Sequence, residues 1–201
     1  MSSDPSAAGA DKRVRMTRDD RLTQLLDLAW RIVREEGTDA LTLGHLAERA
    51  GVTKPVVYSH FGTRAGLLAT LFRNFDARQT ALMNAALDDS KPTLADRASV
   101  IASSYVDCVL SQGREIPGVV AALEGSPEME SIKREFFAAF MEKCRMLLAP
   151  FAPSGDISPA GLWSLIGAAQ LLSYAAATGA VPRDEAITEL DRTIRAMVEV
   201  R

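Results

Sequence analysis

Apolar residues recur at helical spacing along most of this chain. Residues 18–36 predict a first helix, because five apolar residues share one face of it: Leu22, Leu25, Leu26, Ala29 and Val33. No stretch alternates apolar and polar residues as a half-buried strand does. The pattern therefore predicts an all-α protein.

Capping residues, glycines and prolines divide the pattern into nine helices. Ser126-Pro127 and Ser158-Pro159 each place a capping hydroxyl before a first-turn proline, a combination that favours a helix start. The predicted helices run over about 18–36, 43–50, 54–61, 64–88, 94–112, a short segment ending near 123, 127–149, 159–178 and 182–200. Gly113 is expected to close the fifth helix, and Pro117 and Gly118 to frame the sixth.

Residues 42–61 have the pattern of a helix-turn-helix. Thr42 is a predicted N-cap, and Gly51 is expected to turn the chain in the left-handed conformation that glycine adopts at low cost. Thr53 is the predicted cap of the next helix, with Pro55 in its first turn. Such a second helix is suited to the DNA major groove.

The candidate DNA contacts follow from that placement. Lys54, Tyr58 and Arg64 are expected near phosphates, and Thr53, Pro55, Val57 and Ser59 near base edges. Thr42 and His60 complete the candidate set.

The run AGVTKPVVYSHFGTRAGLL resembles the signature of the tetracycline-repressor (TetR) family, and the resemblance covers about residues 22–68. Two positions depart from the family pattern: Arg64-Ala65 replaces a frequent Lys-Glu, and His45 occupies the place of a capping-box acid. The resemblance implies a nine-helix TetR-like architecture, in which an N-terminal DNA-binding domain precedes a helical domain that binds an effector and dimerises.

Three segments are expected. Residues 1–17 form a disordered basic arm, 18–65 the helix-turn-helix domain, and 66–201 the effector-binding and dimerisation domain, with helix 4 (64–88) bridging the two. The arm either adds DNA contacts or is a solvated tail. Helix 4 is either a mechanical link between the domains or a passive connector.

The distribution of charge agrees with a DNA-binding N-terminal part. Residues 11–73 carry 11 Lys and Arg against 8 Asp and Glu, whereas residues 74–201 carry 12 against 17. A basic segment in a chain of net charge −3 favours a localised phosphate-binding surface.

Other classes of protein are disfavoured. No apolar run comes close to the roughly 18 residues that span a bilayer, and the N-terminus lacks the apolar core of a secretory signal, so we expect a cytoplasmic protein without membrane contact. The two histidines and two cysteines form no metal-ligand or catalytic motif. We therefore expect no metal, no cofactor and no enzymatic activity.

Helices 5, 7 and 8 carry mostly apolar residues with a few polar tips, as ligand cavities do. The alternative is ordinary core, but the resemblance implies a cavity for a small lipophilic effector. The candidate effector contacts are Tyr105, Cys108, Val109, Phe136, Phe140, Met141, Cys144, Trp163, Ile166, Gln170 and Tyr174.

Helix 8 is rich in glycine and alanine, and helix 9 has a regular apolar stripe, so these two helices are expected to form a homodimer seam rather than only an internal pair. Two other mechanisms remain open at this stage. The protein could be a redox sensor switched through Cys144 or Cys108, or a constitutive DNA binder without an effector.

Overall fold

A computed structural model describes residues 16–111 and 115–199. Within these ranges the chain is all helical and contains no strand, which confirms the predicted fold class. The helices are α1 Arg18–Glu36, α2 Leu43–Ala50, α3 Lys54–Phe61, α4 Arg64–Asp88, α5 Leu94–Leu110, α6 Glu115–Leu123, α7 Pro127–Leu148, α8 Pro159–Ala177 and α9 Arg183–Glu199. Single 3-10 turns follow α1 (Thr38–Ala40) and α7 (Ala149–Phe151).

Hydroxyl caps set most of the helix starts. Six side chains each accept a backbone N–H from the first turn of the helix that follows: Thr17, Thr42, Thr63, Thr93, Ser126 and Ser158. Gly51 closes α2 in the left-handed conformation, with φ +64° and ψ 32°. Thr53 stands at the N-cap position of α3, but its hydroxyl accepts no such bond.

Some predicted ends differ from the structure. The fifth helix ends at Leu110, and its predicted extension to Gln112 and Gly113 lies outside the described residues. Pro117 and Gly118 lie inside α6 instead of framing it. Proline is tolerated there because first-turn N–H groups have no intrahelical partner. The predicted arm, except for residues 16 and 17, also lies outside the described ranges.

The first hydrophobic core joins α1, α2, α3 and the start of α4. Leu25, Ile32, Leu46 and Leu68 are at most 1% exposed in it. This core also includes residues from α6 and the first turns of α7: Ile116, Val119, Leu123, Met129 and Ile132. The helix-turn-helix part is therefore packed directly against two helices of the rest of the chain.

A second core lies among the end of α4, α5, the end of α7, α8 and α9. The helix α5 packs against both α8 and α9, and Ile101, Leu165 and Ile194 are almost fully buried between them. The predicted apolar stripe of α9 is thus used mainly inside the subunit.

The helix α8 corrects one expectation about apolar runs. It is the one helix of the described residues with the length and mean hydropathy of a membrane span, 1.2 over an 18-residue window. Glycine and alanine raise that mean, while Gln170 and the serines interrupt the run. Because Leu162, Leu165 and Ala169 pack into the second core, we interpret α8 as a core helix with one open face.

Candidate nucleic-acid interface and internal cavity

Two buried side chains fix the orientation of α3. Val57 is 0% exposed and Phe61 is 7% exposed, and both belong to the first core. At the α2–α3 corner, the Val52 N–H donates to the Ala47 carbonyl at 3.0 Å, so the turn is held by the backbone as well. Because one face of α3 is anchored, its opposite face is presented to solvent.

The exposed face carries most of the predicted DNA contacts. The exposed side chains are Thr42, Thr53, Lys54, Pro55, Tyr58 and Ser59, and His60 is partly buried. The Thr42 hydroxyl is already used to cap α2, and the Ser59 hydroxyl donates to the Val56 carbonyl at 2.7 Å. Val57 cannot meet a base edge, because it lies four residues before Phe61 on the buried side of α3.

Arg64 is engaged inside the protein instead of being free for phosphate. Its Nε donates to the Leu41 carbonyl at 2.9 Å and its Nη2 to the Thr38 carbonyl at 2.8 Å. These bonds tie the start of α4 to the 3-10 turn before α2. The sequence prediction missed this, because an arginine after a capping threonine looks the same whether its partner is a carbonyl or a phosphate.

Lys54 is differently placed. It is exposed at the start of α3 and makes no ion pair with a described residue. By contrast, Arg49 and His45 on α2 both contact the Glu36 carboxylate, His45 at 2.9 Å. Of these three basic side chains, Lys54 is the one left available for an external anion.

A second basic region, missed in the sequence, adjoins the end of α3. Burial, and then the positive charges of Arg18 and Arg21, lower the pKa of His60. The start of α1 and the end of α3 are therefore electrostatic neighbours. Both arginines lie in the first turn of α1, directly after the predicted basic arm.

A cavity of about 170 Å³, partly open to solvent beside the exposed Thr80, lies among α4, α5 and α7. The wall from α5 and α7 contains five of the predicted effector contacts: Tyr105, Cys108, Val109, Phe136 and Phe140. The wall from α4, which was not predicted, contributes Phe72, Phe75, Asp76, Gln79, Thr80 and Met83. Phe72, Phe75, Gln79 and Met83 recur at helical spacing, so the sequence contained a signal for part of this wall.

The family model for bacterial regulatory proteins of the tetR family matches residues 25–76, which include α2, α3 and the first half of α4. A 71-residue segment is 42% identical to the HTH-type transcriptional activator FasR of Mycolicibacterium smegmatis. That match covers 34% of this chain, and it spans about a third (32%) of the length of FasR. Residues 25–76 therefore have the sequence of the DNA-binding part of tetR-family regulators.

Two solved structures show how far this TetR-family fold extends. A transcriptional regulator of the TetR/AcrR family from Thermobifida fusca is 21% identical, with a TM-score of 0.64 over 87% of this chain and 96% of that chain. The multidrug binding protein EbrR, in complex with imidazole, is 18% identical, with a TM-score of 0.62 over 97% and 99%. The likeness covers both parts of the molecule and concerns the fold.

Six of the candidate effector residues do not line the cavity among α4, α5 and α7. Met141 and Cys144 pack in the second core beside it, and Ile166 is 3% exposed on α8. The other three side chains lie on the open face of α8: Trp163, Gln170 and Tyr174. The expectation that helix 8 supplies a wall stays a prediction. A second, open cavity of about 540 Å³ lies between α5 and α8, where Gln170 and Tyr174 face Tyr105 and Val109.

Both cysteines are poor candidates for a reactive thiolate. Burial, followed by the negative charge of Asp76, raises the pKa of Cys108 to about 12. Burial also raises the pKa of Cys144 to about 12, and the nearby Lys143 lowers it only in part. Since the thiolate is the reactive form, such surroundings do not favour oxidation of these cysteines.

The open face of α8 is apolar. Trp163, Leu171 and Tyr174 lie at helical spacing and are 55%, 71% and 66% exposed. Gly167 lies between them, and a Cβ there would meet no atom within 4 Å. Large exposed aromatic and aliphatic side chains on one helix mark a candidate protein interface.

Proposed function

We propose that the protein is a homodimeric transcriptional regulator, which binds a palindromic double-stranded DNA operator through α2 and α3 and is released by a small lipophilic effector. In this proposal the protein acts in the cytoplasm, where it represses transcription. The observation that carries the DNA-binding part is the exposed polar face of α3, anchored by Val57 and Phe61 and carrying the unpaired Lys54.

The N-terminus of α3 provides the physical basis for phosphate binding. Pro55 has no N–H, and the Val56 N–H donates to the Thr53 carbonyl at 3.0 Å. The Thr53 and Lys54 N–H groups remain at this end of α3, and together with the helix dipole they favour a phosphate next to Lys54. The side chains that follow, Pro55, Tyr58 and Ser59, then face the groove. The nearby Arg18 and Arg21 add positive potential along the flanking backbone.

Dimerisation is proposed to use the open face of α8 more than α9. One helix-turn-helix reads only half of a palindromic site, and a two-fold dimer presents two at a fixed spacing. The apolar side chains Leu171 and Tyr174 are available for a second copy, whereas Leu190 and Ile194 of α9 are fully buried within the subunit.

The effector is proposed to occupy the cavity among α4, α5 and α7. Its aromatic lining suits a lipophilic molecule, and the similar fold EbrR is a multidrug binding protein by name. No described contact favours the redox alternative, because both thiols are held protonated by burial.

The test begins with selection of a binding site from a randomised duplex library, followed by fluorescence anisotropy over a range of salt concentrations. Lys54→Ala should weaken binding to all duplexes alike and reduce the salt slope of log K by about one. Lys91→Ala, the same substitution at an exposed lysine between α4 and α5, is the matched control and should change neither. Failure to select any site, or an unchanged slope in Lys54→Ala, would refute the proposal.

The direction of regulation is tested separately, since the relative FasR is an activator by name. A reporter placed behind the selected operator should be expressed less when this protein is present. Higher expression would instead assign activation.

A further inference from the structure

The cavity lining contains one carboxylate and, among the described residues, no lysine or arginine. That carboxylate is Asp76, in the middle of α4. The remaining polar groups are neutral, such as Gln79, Thr80 and Ser104. The electrostatic character of the cavity is therefore negative.

Asp76 has no hydrogen bond or ion pair with a described residue. The nearest basic group, Lys143 on α7, donates to the Asn84 side-chain oxygen at 2.6 Å. Arg73, one turn before Asp76, is held by Glu135 at 3.3 Å. Each cation near this carboxylate thus has another partner.

The surroundings of Asp76 disfavour its charged form. Burial raises the pKa of Asp76, and the charge of Lys143 opposes that shift. Its negative charge also reaches α5, where it is the second cause, after burial, of the raised pKa of Cys108. A half-buried carboxylate without a partner is destabilising unless something binds to it.

Aromatic rings form the wall from α5 and α7. The Tyr105 and Phe140 rings meet edge to face with centroids 5.2 Å apart, and Phe136 and Phe140 are nearly parallel at 6.0 Å. Aromatic faces attract cations and also accept apolar groups, whereas they give no stabilisation to an anion.

The volume limits the ligand to about one ring with a small substituent. At about 170 Å³, the cavity is slightly larger than an engineered cavity of roughly 150 Å³ that takes benzene. A small aromatic ammonium compound matches both the size and the lining.

We propose that the effector is a lipophilic cation, whose positive charge lies against the Asp76 carboxylate and whose apolar body packs on Tyr105, Phe136 and Phe140. That the ligand acts as an effector rests on the proposed function. The preference for a cation does not depend on DNA binding.

Isothermal titration of the full-length protein in the absence of DNA tests the preference. The probes are phenyltrimethylammonium and its neutral isostere tert-butylbenzene, with benzenesulfonate as the anionic comparator. The cation should bind at least about tenfold more tightly than the isostere, since a desolvated cation gains from both the carboxylate and the rings.

Substitutions on α4 identify the group responsible. Asp76→Asn, which keeps the shape and removes the charge, should reduce the preference for the cation to less than about threefold, while tert-butylbenzene binds as before. Asp76→Glu should retain the preference. Asp88→Asn, the same change at the exposed end of α4, is the matched control and should behave as wild type. Thermal melts check that all variants fold.

Equal affinity for cation and isostere, tighter binding of benzenesulfonate, no measurable binding of any probe at millimolar concentration, or a preference that survives Asp76→Asn would each overturn the inference. If the preference is found but no operator can be selected, the proposed function fails and the cation site stands. If an operator is found but the preference is missing, the reverse holds.

Discussion

Two basic residues ten positions apart, Lys54 and Arg64, have different roles in this fold. Lys54 is exposed at the start of α3, whereas Arg64 bridges the Leu41 and Thr38 carbonyls. The positive charge is therefore exposed for the proposed phosphate contact at Lys54, and it holds a turn in place at Arg64.

Arg64→Gln should lower the free energy of unfolding by about 1–2 kcal/mol, because two hydrogen bonds from a charged donor are lost at a turn that positions α2. Urea denaturation gives the measurement. Arg73→Gln removes an exposed pair on the same helix and should cost less than about 1 kcal/mol. If Arg64→Gln reduced the salt slope of DNA binding and left stability unchanged, the phosphate role first predicted for it would be restored.

Asp76→Asn should stabilise the free protein at neutral pH, by a rise in Tm on the order of 1–3 °C. Because burial raises its pKa in the folded state, folding takes up protons between the unfolded and folded pKa values, and stability falls as pH rises through that window. The gain from Asp76→Asn should therefore shrink as the pH is lowered below the unfolded pKa. Melting curves at pH 3.5 and pH 7 compare the two; an equal gain at both would exclude the charge as its cause.

For single residues, the sequence predicted which side chains are exposed better than it predicted which groups they contact. The helical period correctly leaves Lys54, Tyr58 and Ser59 on the outer face of α3. It does not exclude Val57, which lies only one position from that face, and it contains no information on the carbonyls that Arg64 meets across 23 and 26 residues.

The two faces of α8 differ in what they contact. One face fills the second core through Leu165 and Ala169, and the other exposes Leu171 and Tyr174. A helix of this kind is stable in a soluble protein when a partner covers the open face.

Leu171→Glu should weaken the dimer at least about 100-fold without unfolding the subunit, because a charge placed in an apolar interface lacks a partner. Light scattering over a dilution series measures the change. Leu82→Glu, at a leucine of α4 that is 65% exposed, is the matched control. Ile194→Glu would be uninformative, since Ile194 is 0% exposed within the subunit and its replacement should unfold the protein. An unchanged dimer in Leu171→Glu would exclude α8 from the interface.

Helix starts that carry a hydroxyl cap were predictable, whereas helix neighbours were not. A cap such as Ser126 or Ser158 acts on its own first turn, so the local sequence is sufficient to detect it. Which helix walls the cavity depends on how α4 and α8 lie in space, and an apolar stripe is equally compatible with core, cavity and interface. That ambiguity explains why the wall from α4 was not predicted.

In the molecule as a whole, the cavity adjoins the helix-turn-helix part. Phe72 and Phe75 line the cavity and also pack against the first core. A ligand that moves these rings acts directly on the base of the DNA-binding part, and α6 touches α1 and the 3-10 turn of that part as well. The long helix is thus one of two elements available for coupling.

Saturating phenyltrimethylammonium should weaken operator binding by about 5- to 150-fold, and operator should weaken the probe by the same factor. Ser104→Phe, which places a ring in the cavity, should abolish this response and leave the operator affinity of the free protein nearly unchanged. Ser99→Phe on the exposed side of α5 is its control. Anisotropy and calorimetry, performed in both directions, give the two factors; equal probe affinity with and without operator would show that the cavity does not regulate DNA binding.

The sharing of the first core between distant segments also affects how the chain is made. Residues up to 75 leave the ribosome first, yet Ile116, Val119, Leu123, Met129 and Ile132 complete their core. At 5–20 residues per second, synthesis from residue 75 to residue 132 takes roughly 3–11 s. During that interval the nascent helix-turn-helix exposes the apolar surface that α6 and α7 later cover, so chaperone binding to stalled chains should be strongest between these two lengths.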